Sequence, residues 1–216
     1  MTEAITLHGY TYSVYTRVVR IVLELKGLPF ESIEVNPFED LNPSFLDLHP
    51  FGRVPVLSHG TFDIFETAAI CRYIDNTFHH PALTPESPKA TARMDQVISI
   101  IDNYAYWPMV RQVFSHGVFR PLLGTEANAE EVSAGLASSK KPLKVLEQIC
   151  GEGFVLSGKT FTLADCHLAP MIDCFARSAD GLGLLQSHPN LWRWWGGISK
   201  MPFMKHTDPK LPALVP

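Results

Sequence analysis

Three prolines within His80-Pro81-Ala82-Leu83-Thr84-Pro85-Glu86-Ser87-Pro88 stand between two stretches of different hydrophobic period. Proline cannot continue a helix interior or a central strand, so regular structure breaks here and each side folds on its own pattern. The sides also differ in charge. Residues 1–80 carry five Lys or Arg against ten Asp or Glu, net −5, and the remainder thirteen against twelve, net +1. We therefore expect a domain over residues 1–80, a linker over 81–88 and a second domain over 89–216.

The first side reads as alternating strands and helices. Ala4-Ile5-Thr6-Leu7-His8 alternates like a strand. After Gly9 and a loop over Tyr10–Ser13, apolar residues recur at helical steps (Val14, Val18, Ile21, Val22, Leu25), with Ser13 as an N-cap and Gly27 and Pro29 as the stop. Phe30 to Val35 alternates again, which makes a βαβ unit with a parallel strand pair. A short helix at Pro43 to Leu48 precedes a hairpin of Val54–Ser58 and Thr61–Phe65 about the Gly60 turn. Glu66 or Thr67 then opens a helix through Ile74. The order βαβαββα describes a small α/β sandwich of the thioredoxin type.

From Lys89 the periodicity is helical throughout: Arg93 to Phe114, with a kink expected at Pro108, then Glu130 to Ile149, Leu163 to Arg177 and Asn190 to Lys200. Thr162-Leu163-Ala164-Asp165 has the form of a capping box. The expected fold class is thus α/β plus all-α, the second domain being a helical bundle.

Composition narrows the function classes. With 46% hydrophobic and 19% charged residues the chain can bury a core. A net charge of −4 argues against nucleic acid or an anionic membrane as partner, since both need clustered cations. Lys140, Lys141 and Lys144 read as a solvated helix face. No apolar run reaches the roughly 18 residues of a membrane span, and the first residues lack a signal peptide's basic flank and apolar core, so we expect a cytoplasmic protein. Cys71, Cys150, Cys166 and Cys174 show no CxxC spacing and sit among apolar neighbours, and His79-His80 has no carboxylate at ligand spacing. Neither disulfide nor metal is expected. The GxSxG, P-loop, GxGxxG and HExxH patterns are absent.

What remains is a set of residues at loops and helix ends of the first domain. Ser13 stands where a helix N-terminus favours an anion, and its hydroxyl can donate to a thiolate; equally, it can serve only as an N-cap. Tyr10, Tyr12 and Tyr15 are rival hydroxyls. Val54-Pro55 lies directly before a strand, where a cis bond would leave the Val54 backbone open to an extended peptide, although most X-Pro bonds are trans. Glu66 can pair with an ammonium and Thr67 can bind a carboxylate, which together would hold an α-amino acid end; an ordinary acidic first turn looks the same.

Two stretches at this spacing resemble the cytosolic glutathione transferases over nearly the whole chain. His49-Pro50-Phe51-Gly52-Arg53-Val54-Pro55-Val56-Leu57 is like the family's N-P-F-G-x-V-P-x-L, and Phe65-Glu66-Thr67-Ala68-Ala69-Ile70-Cys71-Arg72-Tyr73-Ile74 is like its F-E-S-x-A-I-x-x-Y-I. Gly158 to Asp165 is similar to the family's second-domain capping segment. Ser13-Val14-Tyr15-Thr16-Arg17 resembles the S-T-x-T-R run of serine-type, phi-like members. The resemblance implies glutathione as co-substrate, with Ser13 activating its thiol, Val54 and a cis Pro55 at its cysteinyl part, Glu66 and Thr67 at its γ-glutamyl end and Arg53 at its glycyl carboxylate. The sequence departs from the pattern at Thr67, where Ser is usual, at Arg53, where Gln or Lys is common, and at Asp40 and Leu41, where phi-like members have a basic pair.

The implied reaction is attack by the glutathione thiolate on a small hydrophobic electrophile. Lowering a thiol pKa by about two units corresponds to about 2.7 kcal/mol, within reach of one charge-assisted bond and a helix end. For the electrophile pocket we expect Tyr12 with Tyr104 and Trp107, the latter two on a stripe with Val110 and Phe114 that equally fits domain core. Alternatives are a zeta-like glutathione-dependent cis-trans isomerase, whose S-S-C run is missing because Val14 stands at the cysteine position, and a non-catalytic binder of glutathione or hydrophobes. A cysteine-type reductase is disfavoured because no Cys lies in positions 9–17. The resemblance also implies a homodimer in which Phe51 enters the partner.

Overall fold

Period-two burial in β1 (Ile5–Gly9) sets the geometry of the first half: Ile5, Leu7 and Gly9 turn inward, while Thr6 and His8 take the other face. The computed structural model describes residues 3–212. It divides into two units, one running to Ala82 and including His206–Pro209, the other from Leu83 to Lys205 and resuming at Lys210.

The first unit contains a four-stranded sheet in the order β2-β1-β3-β4, with β2 spanning Glu31–Glu34, β3 Val56–His59 and β4 Phe62–Phe65. β1 runs parallel to β2 and antiparallel to β3, and β3 and β4 form the hairpin. Helix α1 (Val14–Leu25) joins β1 to β2, α2 (Pro43–Leu48) follows, and α3 (Thr67–Thr77) packs beside α1. This is the thioredoxin-like arrangement. Val18, Val19, Ile21, Val22, Leu57, Ile70 and Ile74 make the core.

Lys26, at the end of α1, is buried with all three ammonium donors used. It donates to the carbonyls of Phe78 and Pro81 and pairs with Asp75 Oδ1, each at 2.6 Å. Full use of the donors is what makes a buried ammonium tolerable. The segment His206–Pro209 lies on α1, where Thr207 accepts from Arg17 Nε at 3.3 Å and His206 meets Glu24 at 2.7 Å.

The second unit is helical. α4 (Pro88–Ile100) begins with Pro at its first turn, where no N–H is needed. Beyond Ile100 the helix widens into π-wound stretches, Ile101–Ala105 and Trp107–Phe119, before the short α5 (Arg120–Leu122). Tyr106 N–H reaches Ile101 O and Arg120 N–H reaches Ser115 O, five residues back. Pro108, where a kink is expected, lies near the start of the second π-wound stretch, in which the chain passes the proline without its missing donor.

α6 (Ala129–Glu152) crosses the π-wound stretch at Gly135 and ends at Gly153 with φ 77°. α7 (Leu163–Ala176) is buried on nearly every face and is the central helix of this unit. At its start Asp165 accepts from Thr162 N at 2.9 Å, as the capping box requires, and also from the Thr162 hydroxyl at 2.7 Å and Trp194 Nε1 at 2.8 Å. Burial pushes the Asp165 carboxyl above the usual range against these bonds. Besides the short α5, helices that hydrophobic period did not announce are α8 (Ala179–Gln186), which contains two glycines, and the five-residue α10 (Pro202–His206). Between them α9 (Pro189–Ile198) has its first amides, Asn190 N and Leu191 N, satisfied by Glu147 of α6. Among the described residues no helix is long and apolar enough to cross a membrane.

Candidate functional site

Strand register gathers the predicted residues of the first unit. Gly9 pairs with Glu34, His8 with Val56, and Val56 with Phe65. One rung beyond Val56 lie Pro55 on one strand and Glu66 on the other. The loop carrying Ser13, the Arg53-Val54-Pro55 approach and the Glu66-Thr67 helix start therefore leave the sheet at the same end.

Ser13 is the N-cap of α1, with φ −74° and ψ 122°, and its Oγ accepts from Thr16 N at 3.2 Å. The two roles weighed for Ser13 are compatible. Accepting from Thr16 uses an oxygen lone pair and leaves the hydroxyl proton to be donated. The preceding turn closes by Ser13 N to Tyr10 O at 2.9 Å. Gly9 is required beneath it, because a Cβ there would lie 2.3 Å from Thr16 Cγ2.

The Val54–Pro55 bond is cis. Val54 is half-buried and two residues before β3, beyond the rungs of the ladder. Arg53 and Phe51 are exposed, Phe51 to 71%. Its ring meets Phe65 and His49 edge-on at centroid distances of 6.2 and 6.1 Å. Glu66 is exposed and has φ 71° and ψ 111°, unusual for a residue with a Cβ. Such outliers persist where surrounding structure over-determines them, often at ligand sites. Thr67, the first residue of α3, is buried.

Three side chains at this end were not singled out from the sequence. His49, 3% exposed, stacks on Phe65 at 4.5 Å. Burial lowers its pKa first, opposed by Glu66 and reinforced by Arg53. Phe38 is presented by an Asn36 turn, in which Phe38 N donates to Asn36 Oδ1 at 3.1 Å and Asn36 is tied to Glu39. Its ring meets Tyr10 edge-on at 5.9 Å, and Tyr10 meets Tyr12 at 5.6 Å. Burial, with Tyr12 and Glu34 adding, raises the Tyr10 pKa, which keeps the phenol protonated and able to donate. The third is Glu34, whose carboxylate accepts from both Thr11 N and Thr11 Oγ1. An Asn-x-Phe run offered a weak signal for Phe38, whereas Glu34 reads as an ordinary outward strand residue.

Asp40 is exposed, and Leu41 lies against the Gly52 turn. In the second unit the aromatic stripe divides: Tyr104 and Trp107 are 66% and 61% exposed, whereas Val110 and Phe114 are buried. In π winding a four-residue step is less than a turn, so the four positions no longer share one face. Among the described residues no group of three His, Cys, Asp or Glu is placed to hold a metal.

The family model for the glutathione S-transferase N-terminal domain matches residues 7–82, and that for its C-terminal domain matches residues 93–202. Glutathione S-transferase F13 of Arabidopsis thaliana is 31% identical over 96% of both chains, and glutathione S-transferase 3 of Zea mays 29% identical over 97% of this chain and 96% of the other. Among solved structures, glutathione S-transferase III in apo form superposes with a TM-score of 0.83 at 28% identity, covering 99% of each chain. Glutathione S-transferase I from maize in complex with an atrazine glutathione conjugate superposes at 0.81 with 26% identity, covering 95% of this chain and 96% of that one.

Proposed function

The chain belongs to the glutathione S-transferase family, and we propose that it joins the glutathione thiolate to a small hydrophobic electrophile. The observation that carries this reading is the convergence of Ser13, Val54-Pro55 and Glu66-Thr67 at one end of the sheet. Ser13 donates to the thiol sulfur while its oxygen accepts from Thr16 N, and the N-terminus of α1 adds its partial positive charge. The backbone of Val54 pairs with the cysteinyl residue. Glu66 takes the γ-glutamyl ammonium and Thr67 the carboxylate beside it, and the exposed Arg53 takes the glycyl carboxylate. A maize relative solved with an atrazine glutathione conjugate supports conjugation as the reaction.

For the electrophile, Tyr12 with Tyr10 and Phe38 offers an aromatic surface beside Ser13. On the helical unit Tyr104 and Trp107 are the side chains available for that role, while Val110 and Phe114 are committed to its core. The protein is read as a cytoplasmic homodimer, with the exposed Phe51 entering the partner. A purified protein that binds glutathione and runs as a monomer would remove that assignment.

The test is Ser13→Ala assayed with glutathione and a small aryl halide. Loss of the donor should lower kcat/KM by about two orders of magnitude and raise the bound thiol pKa. Unchanged turnover and thiol pKa would transfer activation to a tyrosine or a backbone amide. Glutathione capture without turnover in the wild-type protein would instead support a binding protein.

A further inference from the structure

Ser13 is the last residue of a four-residue turn, Tyr10-Thr11-Tyr12-Ser13, closed by a single backbone bond from Ser13 N to Tyr10 O. Its Ser13 end is also tied to α1, where Ser13 Oγ accepts from Thr16 N and Ser13 O from Arg17 N, and its other end follows from β1. Thr11, at the second position, supplies a further anchor: its N–H donates to Glu34 Oε1 at 2.9 Å and its hydroxyl to Glu34 Oε2 at 2.8 Å. One donor on each carboxylate oxygen fixes both the position and the rotation of the contact. Glu34 itself is well placed to serve as the anchor. Its backbone lies on the rung opposite Gly9, and the next amide, Val35 N, donates to Gly9 O at 2.9 Å.

We propose that Glu34 is a positioning residue for Ser13, gripping Thr11 at two points so that the turn aims the Ser13 hydroxyl at the substrate sulfur. The proposal rests on the reading of Ser13 given above. Glu34 acts through the turn and touches neither substrate. Its charge works against the chemistry, because a carboxylate near a forming thiolate disfavours it. The advantage of the contact is therefore geometric, and charge and geometry can be separated by substitution.

Glu34→Gln and Glu34→Ala both remove the charge, but only Gln can keep the grip, with its carbonyl accepting from Thr11 N and its amide donating to the Thr11 hydroxyl. With glutathione and chlorodinitrobenzene as probes, Glu34→Ala should turn over about tenfold more slowly than Glu34→Gln, with KM for glutathione changed less than twofold. The bound thiol pKa, read from thiolate absorbance against pH, should be higher in the Ala variant by about one unit, the equivalent of that tenfold change. Thr11→Val, which loses one bond with little change of volume, should move in the same direction by a smaller amount, and serves if Glu34→Ala folds poorly. In a Ser13→Ala background the Gln and Ala variants should be indistinguishable.

Equal thiol pKa and turnover in Glu34→Gln and Glu34→Ala, while Ser13→Ala shifts both, would overturn the proposal and leave the Ser13 reading standing. Equal gains in the Gln and Ala variants would assign the effect to charge and likewise overturn it. If Ser13→Ala moves neither quantity, the Ser13 reading fails first and the positioning role fails with it.

Discussion

Glu66 holds φ 71° and ψ 111° directly before α3, where a Cβ crowds the backbone. Strain of this kind costs about 1–3 kcal/mol, and glycine would relieve it at an entropic cost of about 0.5–1 kcal/mol. Glu66→Ala keeps the strain and loses the carboxylate, whereas Glu66→Gly loses both. Thermal melts without ligand should therefore rank the Gly variant above the Ala variant by about 1 kcal/mol, and calorimetry should show both binding glutathione at least tenfold more weakly than the parent. An Ala variant as stable as the Gly variant would mean that the backbone at 66 is unstrained. At this scale the sequence marked Ser13, Val54, Pro55, Glu66 and Thr67 because each residue type has a local use at a helix end or strand start. It did not mark Glu34, whose partner Thr11 lies 23 positions away, nor the left-handed backbone of Glu66, since glutamate has no propensity that announces it.

Between elements the governing quantity is closeness of approach. Gly135 of α6 meets the π-wound stretch so tightly that an added Cβ would lie 2.7 Å from Gln112 Cβ and 2.8 Å from Pro108 O. Neither neighbour is the flexible end of a side chain, so Gly135→Ala should destabilise the protein by about 2 kcal/mol despite alanine's better helix propensity. Gly183 in α8 has nothing within 4 Å of the same added atom. Gly183→Ala should therefore stabilise by about 0.5–1 kcal/mol, and urea unfolding of the two variants reads the contrast. A tolerated Gly135→Ala would show that the crossing can widen. The strands, the hairpin and the long helices were legible as hydrophobic period. The π winding was not, because it depends on how the helix passes Pro108 among its packed neighbours, and it moved Val110 and Phe114 to the interior and left Tyr104 and Trp107 outside.

Over the whole molecule two histidines are shifted in the same direction. Burial lowers the pKa of His49 and of His8, the latter opposed by Asp63 and Glu31. Each stays neutral in the fold at pH values where the unfolded chain, with its ordinary histidine pKa of about 6.5, takes up a proton. The unfolded state then binds more protons, so stability falls as pH drops below about 6.5 toward the lowered folded values. Melting temperatures should decline across that window, and the double variant His8→Asn, His49→Asn should show a shallower decline. An unchanged slope would locate the acid sensitivity in other groups.

The amino-acid order alone determined the βαβαββα order ahead of a helical half, and it singled out Ser13, Val54, Pro55, Glu66 and Thr67, which stand at helix ends and at a strand start. These are properties of neighbours in the chain: period, caps, turns and the breaks that proline enforces. Only the tertiary structure decided that Glu34 grips Thr11, that His49 is buried against Phe65, that Lys26 closes on Asp75 and two carbonyls, and how the aromatic stripe divides. Each of those depends on strand register or on the closeness of two elements, and register and closeness are set by packing the entire hydrophobic set at once.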